Sequence, residues 1–138
     1  MSEFEARVES REEVQAMAES LVLQRLREQF GQALLEVRVW RNETTVVLAP
    51  PDLPRVCRFL RDDPDLVFDF LADVTGVDRL RLPESSPRFE VVYHLYSLPH
   101  RRRIRLKVRV DEGQAVSTVT GVWPTANWHE REVYDMFG

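Results

Sequence analysis

Between Glu12 and Phe30 apolar residues recur three and four positions apart, at Val14, Met17, Ala18, Leu21, Val22 and Leu26, with charged residues between them. That spacing predicts a helix with one buried face. Ser10 followed by Glu13 has the form of a capping box at its start, and Gly31 offers a left-handed residue to close it. The period then drops to two. From Leu34 to Trp40, Leu35, Val37 and Val39 alternate with Glu36, Arg38 and Trp40, Arg41-Asn42-Glu43 reads as a turn, and Thr44 to Ala49 answers as a second strand, completing a hairpin.

Pro50-Pro51 stops the ladder because proline has no amide to donate, and Asp52 can cap a short helix reaching Arg61, which Asp62-Asp63-Pro64 ends. Phe68 to Leu82 reads as a helical turn running into a strand, with Gly76 as the point of backbone irregularity. Arg88–Leu98 and Arg102–Val110 read as two strands of a second hairpin, and Val116–Trp123 leads to Pro124. Asn127 with Glu130 then has the form of a capping box for a final helix. The order helix, hairpin, helix, hairpin, helix predicts a single α+β domain over residues 1–138. Its two layers are a mainly antiparallel sheet of about four to five strands and helices packed against it.

Composition narrows the chemistry. In 138 residues, 43% are hydrophobic and 30% charged, the balance of an ordinary globular domain. A single cysteine, Cys57, excludes an internal disulfide framework and a Cys-based zinc site. Its place among Val56, Arg58 and Phe59 suggests a structural thiol. The acidic start Met1-Ser2-Glu3-Phe4-Glu5 has no secretory-signal form, and no apolar run approaches the ~18 residues of a membrane span. Any membrane attachment is therefore expected through a partner.

His129-Glu130-Arg131-Glu132-Val133 begins like a zinc-protease helix but carries Val where the second histidine is needed. The glycines stand singly at 31, 76, 113, 121 and 138, so no phosphate-cradling loop is present. Asp69, Asp73 and Asp78 suggest capping or turn roles more than a carboxylate cluster. The net charge of −4 argues against generic nucleic-acid binding. It conceals a stripe, however, because Arg103, Arg105, Lys107 and Arg109 alternate with Ile104, Leu106, Val108 and Val110, giving one packed and one cationic strand face. That face reads as a solvated strand face or a docking surface for an acidic protein, with an anion or nucleic-acid module as the reading from another class.

The segment Trp123-Pro124-Thr125-Ala126-Asn127-Trp128-His129-Glu130-Arg131-Glu132-Val133-Tyr134-Asp135-Met136-Phe137-Gly138 closely resembles the signature of the C-subunit family of NADH:quinone oxidoreductase, respiratory complex I, whose pattern is E-R-E-x-x-D. Phe70–Asp78, Arg88–Leu95 and Ser117–Thr120 add to the resemblance. It implies a non-redox scaffold of the peripheral arm, held at the cytoplasmic face of the inner membrane. The scaffold would dock on the large hydrogenase-like subunit near the quinone site, while NADH, FMN, iron–sulfur clusters and quinone belong to other subunits. One cysteine agrees, since a Cys-ligated cluster needs four. No catalytic, cofactor or metal residue is then expected in this chain, although the complex is an oxidoreductase and translocase. Trp128, His129, Glu130, Arg131, Glu132, Tyr134 and Asp135 are the signature and candidate contact residues. They either clamp the domain internally or reach the partner.

An equivalent subunit of a membrane-bound hydrogenase or formate hydrogenlyase is the alternative within the same clan. Family members continue past the equivalent of Gly138 into a Gly-, His-, Pro-, Leu- and Arg-rich stretch, so a shortened chain is expected here.

Overall fold

Five strands form one sheet in the spatial order β1-β2-β5-β4-β3, with β1 at Leu34–Trp40, β2 at Glu43–Leu48, β3 at Phe70–Asp78, β4 at Phe89–Ser97 and β5 at Arg102–Val110. The computed structural model describes residues 21–40, 43–78, 89–111 and 118–137. Among the described residues three helices accompany the sheet: α1 over residues 21–30, α2 at Leu53–Asp62 and α3 at Ala126–Phe137. The α+β two-layer architecture is the one expected. Three of the four strand pairings are antiparallel, and β2 with β5 is parallel. The chain passes through α2, β3 and β4 before β5 returns beside β2, the long connection that parallel neighbours require.

The helical face is legible in α2, where Leu53, Val56, Cys57 and Leu60 are all fully buried, at the i, i+3, i+4, i+7 spacing of one helical stripe. Proline occupies its first turn, where a missing amide costs no bond. Asp52 does not cap it as expected. Its carboxylate instead accepts Arg55 Nη2 at 3.0 Å, and a 3-10 turn, Pro50–Asp52, leads into the helix. After Asp62 the Asp63 backbone turns extended, and Val67 takes a φ of 45°. A β-branched residue there carries strain of roughly 1–3 kcal/mol. Both of its neighbours, Leu66 and Phe68, are fully buried, and burial of each contributes about 1.5–3 kcal/mol.

These residues join one core between the helices and one sheet face. Val22, Leu23 and Leu26 come from α1, Val46 and Leu48 from β2, Val91, Tyr93 and Leu95 from β4, and Ile104, Leu106 and Val108 from β5. The cross-strand register Val74↔Tyr93↔Leu106↔Val46 runs straight across that face.

Several local expectations change. Gly31 opens a 3-10 turn, Gly31–Ala33, instead of taking a left-handed cap. In β1 the register shifts between Leu34 and Glu36, so Leu34 and Val37 pack on the core while Leu35 is 62% exposed. A bulge of this kind breaks simple alternation. Phe70–Asp78 is strand throughout, and its irregularity falls between Leu71 and Asp73, while Gly76 pairs regularly with Val91. The predicted start of the first helix with Ser10 and Glu13, the turn residues Arg41 and Asn42, the end of the 68–82 segment, and Glu112, Gly113, Val116 and Ser117 lie outside the described residues.

Candidate functional site

α3 turns Ala126, Glu130 and Val133 inward, at i, i+4 and i+7, with exposures of 0%, 6% and 5%. A carboxylate buried between two apolar side chains must be fully hydrogen-bonded to be tolerated. Glu130 is. The Val119 amide donates to its Oε1 at 2.9 Å and the Thr118 hydroxyl donates to its Oε2 at 2.7 Å. The capping-box role expected with Asn127 is not formed. The helix begins at Ala126, the Asn127 amide turns back to the Pro124 carbonyl, and Glu130 leaves the helix to clamp the preceding segment. Beside it, the Trp123 indole N–H donates to the buried Phe68 carbonyl at 3.1 Å. Arg61 at the end of α2 donates to the Val122 carbonyl at 2.9 Å. Cys57 lies within the electrostatic reach of Glu130. Burial pushes its thiol pKa far above the ordinary 9.0, and the carboxylate charge pushes it further.

The outer side of α3 differs. Trp128 is 65% exposed and Arg131 is exposed. His129 Nδ1 lies 3.6 Å from Asp73 Oδ1, linking α3 to β3. The side chains of Glu132, Tyr134 and Asp135 lie outside the described residues. One signature residue is thus an internal clamp, while two stand on the surface.

The cationic stripe runs along the second sheet face, on the side of β5 opposite Ile104, Leu106 and Val108. Lys107 stands opposite Val92 and Val47, which are nearly fully buried although they lie outside the core cluster. Long basic side chains can cover apolar surface with their stems in this way. Arg109 donates to Glu90 at 2.9 Å and to Glu36 at 3.2 Å, Lys107 lies 4.0 Å from Glu90, and Arg105 pairs with Glu43. Hydrogen bonding to Glu90 raises the Arg109 pKa, and hydrogen bonding to Arg38, with the charges of Arg38 and Arg109, holds Glu36 below 4.5. Arg103 departs from this pattern. Its guanidinium carbon lies 5.8 Å from the centre of the Tyr96 ring, and among the described residues no carboxylate pairs with it.

At this end of the sheet a groove of about 700 Å³ opens, lined by Phe70, His94, Tyr96, Leu98 and Arg103 among others. Phe70 is 48% and Leu98 59% exposed. His94 Nε2 stands 3.4 Å from the Thr75 hydroxyl, and burial holds its pKa below 6.5 against the opposing charge of Asp73. Asp69 accepts the Leu98 amide at 3.1 Å, and Asp73 accepts the Val74 amide, so both serve loop and strand backbone. They share no helix face. Among the described residues no three His, Cys, Asp or Glu side chains are grouped to hold a metal ion, and no helix is long and apolar enough to cross a membrane.

Sequence reading did not single out the pairing of Phe70 with Tyr96 or the exposure of Leu98. Their residue types look like core, and only the strand order and register place them on the second sheet face. The carboxylates that neutralise the stripe were equally hidden, lying on three other strands.

Residues 46–138 match the family described as Respiratory-chain NADH dehydrogenase, 30 Kd subunit. The chain is 49% identical over 124 residues to the NADH-quinone oxidoreductase C-subunit of Roseiflexus sp. (strain RS-1), covering 89% of this chain and 70% of that protein. It is 47% identical over 111 residues to the NADH-quinone oxidoreductase C-subunit 2 of Rhizobium etli (strain CIAT 652), covering 80% of this chain and 58% of that one. Its fold resembles a chain from the structure of the membrane-bound sulfane sulfur reductase, an archaeal respiratory membrane complex, with a TM-score of 0.70 and 24% identity. That match covers 86% of this chain and 67% of the other.

Proposed function

Because the chain belongs to the family of the respiratory-chain NADH dehydrogenase 30 kDa subunit, the C-subunit of respiratory complex I, we infer that it is a non-redox scaffold of that oxidoreductase's peripheral arm. It docks on the large hydrogenase-like subunit near the quinone site, at the cytoplasmic face of the inner membrane, and touches the membrane only through its complex. NADH, FMN, the iron–sulfur clusters and quinone are held by other subunits. The chain's own residues do not fit a cluster, because its single cysteine is fully buried and its thiolate is disfavoured.

The observation that carries the reading is the division of labour in α3. Glu130 ties the helix to residues 118–119, and the helix so tied holds Trp128 and Arg131 outward. A large exposed aromatic beside an arginine is the composition of an interface anchor. An anchor gains affinity when its mount needs no ordering on binding.

A tagged copy of the chain, purified gently from its host with its partners, tests the reading. Recovery of an assembly that oxidises NADH with quinone as acceptor is the expected result. Recovery of a hydrogen-evolving assembly would move the chain to a membrane-bound hydrogenase or formate hydrogenlyase, and recovery of the chain alone would overturn both. The anion or nucleic-acid reading loses its support in the stripe itself, since Arg105, Lys107 and Arg109 already face Glu43, Glu90 and Glu36.

A further inference from the structure

We propose that the groove at the turn end of the second sheet face is a docking site for an acidic-apolar segment of a partner polypeptide. An apolar side chain of that segment seats between Phe70 and Leu98, and a neighbouring Asp or Glu pairs with Arg103. The inference deepens the scaffold reading, on which it rests, by naming the chemistry of a second contact, made by the sheet and not by α3.

Charge complementarity identifies the occupant. Four cations alternate along β5, and three have carboxylates: Arg105 with Glu43, Lys107 with Glu90, and Arg109 with Glu90 and Glu36. Among the described residues Arg103 meets no carboxylate and Arg101 in the adjoining turn is exposed, while the two acids that line the groove are held elsewhere, Glu43 by Arg105 and Asp73 by the Val74 amide and His129. The turn end carries the exposed apolar side chains. Phe70 stands directly opposite Tyr96 in the register, Leu98 follows one residue beyond β4, and the groove runs between them. The Tyr96 ring beneath the Arg103 guanidinium restrains it, so less side-chain freedom is lost when a carboxylate arrives.

Other occupants fit less well. A nucleic-acid backbone needs a track of available cations, and this face offers its surplus at one point. A second copy docked by two-fold symmetry about the groove would bring Arg103 against Arg103, since such contacts are self-facing. A partner strand carrying an acid beside an apolar residue satisfies both halves of the site.

The test places a photo-crosslinking amino acid at position 98 of the full chain in its native host, and identifies the product by mass spectrometry. The expected product is one site on one other polypeptide, with Asp or Glu within about three residues of the attachment point. Arg103→Glu should lower its yield by about tenfold and Arg103→Lys should restore most of it. Because Arg103 is an exposed side chain, both variants should melt within a few degrees of the unaltered chain. A cross-link to nucleic acid, to another copy of this chain or to a surface without carboxylates overturns the proposal. So does no product above that of a probe at exposed Glu28, or a yield indifferent to Arg103→Glu. An acidic-apolar attachment site on a protein outside any NADH-oxidising assembly would leave the groove's chemistry standing and sink the scaffold reading. An intact assembly with an indifferent Arg103→Glu yield would do the reverse.

Discussion

The Glu130 carboxylate accepts the backbone amide of Val119 at 2.9 Å while only 6% of Glu130 is exposed. A buried acceptor of this kind is worth more than its distance suggests, because removing it strands the donors it satisfied. Glu130→Ala leaves the Val119 amide and Thr118 hydroxyl without it and should cost about 2–4 kcal/mol. For a chain of this size that lowers Tm by roughly 8–15 °C. Glu130→Gln keeps the shape and one acceptor and should cost about half as much. Thermal denaturation followed by circular dichroism measures both, and a Tm for Glu130→Ala within 2–3 °C (roughly) of the unaltered chain would remove the clamp.

Arg131 is adjacent in sequence and opposite in consequence. It is exposed, so Arg131→Ala should change stability by no more than about 0.5 kcal/mol. On the scaffold reading the same variant should fail to co-purify with its partners. A destabilised domain with normal assembly would reverse these assignments.

Cys57 offers a probe of the core that needs no partner. Its thiol is buried and its pKa is pushed upward by burial first and by Glu130 second. Alkylation by iodoacetamide at pH 8 should therefore run more than about tenfold slower in the folded chain than in denaturant. Glu130→Ala should accelerate it, because local opening of α3 uncovers the same region. Equal rates in the folded and denatured chain would contradict the burial.

His94 sets the direction of one pH dependence. Burial lowers its folded-state pKa, Lys107 adds to that, and Asp73 opposes it. The unfolded chain then binds the proton more readily, so stability is at its full value above about pH 6.5. It declines as pH falls below that value, until the folded-state pKa is passed. Thr75 contacts the ring, and Arg105 stands across the ladder. Tm should accordingly fall between pH 7.5 and 5.5, and His94→Gln should flatten that part of the profile. An unchanged slope in the variant would assign the dependence to other groups.

Local periodicity was enough to place most of this fold. The boundaries of α2 at Pro50-Pro51 and Asp62-Asp63-Pro64, the alternation in β5 and the two hairpins follow from backbone geometry within a few residues, and the structure has them where the pattern puts them. The structure departs from the pattern at helix ends, where Gly31, Asp52 and Glu130 make other contacts than the expected caps, and where one inserted residue changes the phase. The bulge at Leu35 and the irregularity before Asp73 sit inside stretches whose composition reads as regular.

The sequence by itself determined the alternating character of β5, the single cysteine and the signature from Trp123 onward, because each is a property of neighbours along the chain. Only the tertiary structure decided which charges remain available. Arg105 finds Glu43 from 62 residues away and Arg109 finds Glu36 from 73, pairings that exist because β5 lies beside β2 and β2 beside β1. Glu130, one acid among three charged residues in a row, becomes the buried clamp because helix phase turns it toward Val119 while Arg131 turns away. Strand order and helix phase set these distances, and the Coulomb energy of a pair depends on distance in space, not along the chain.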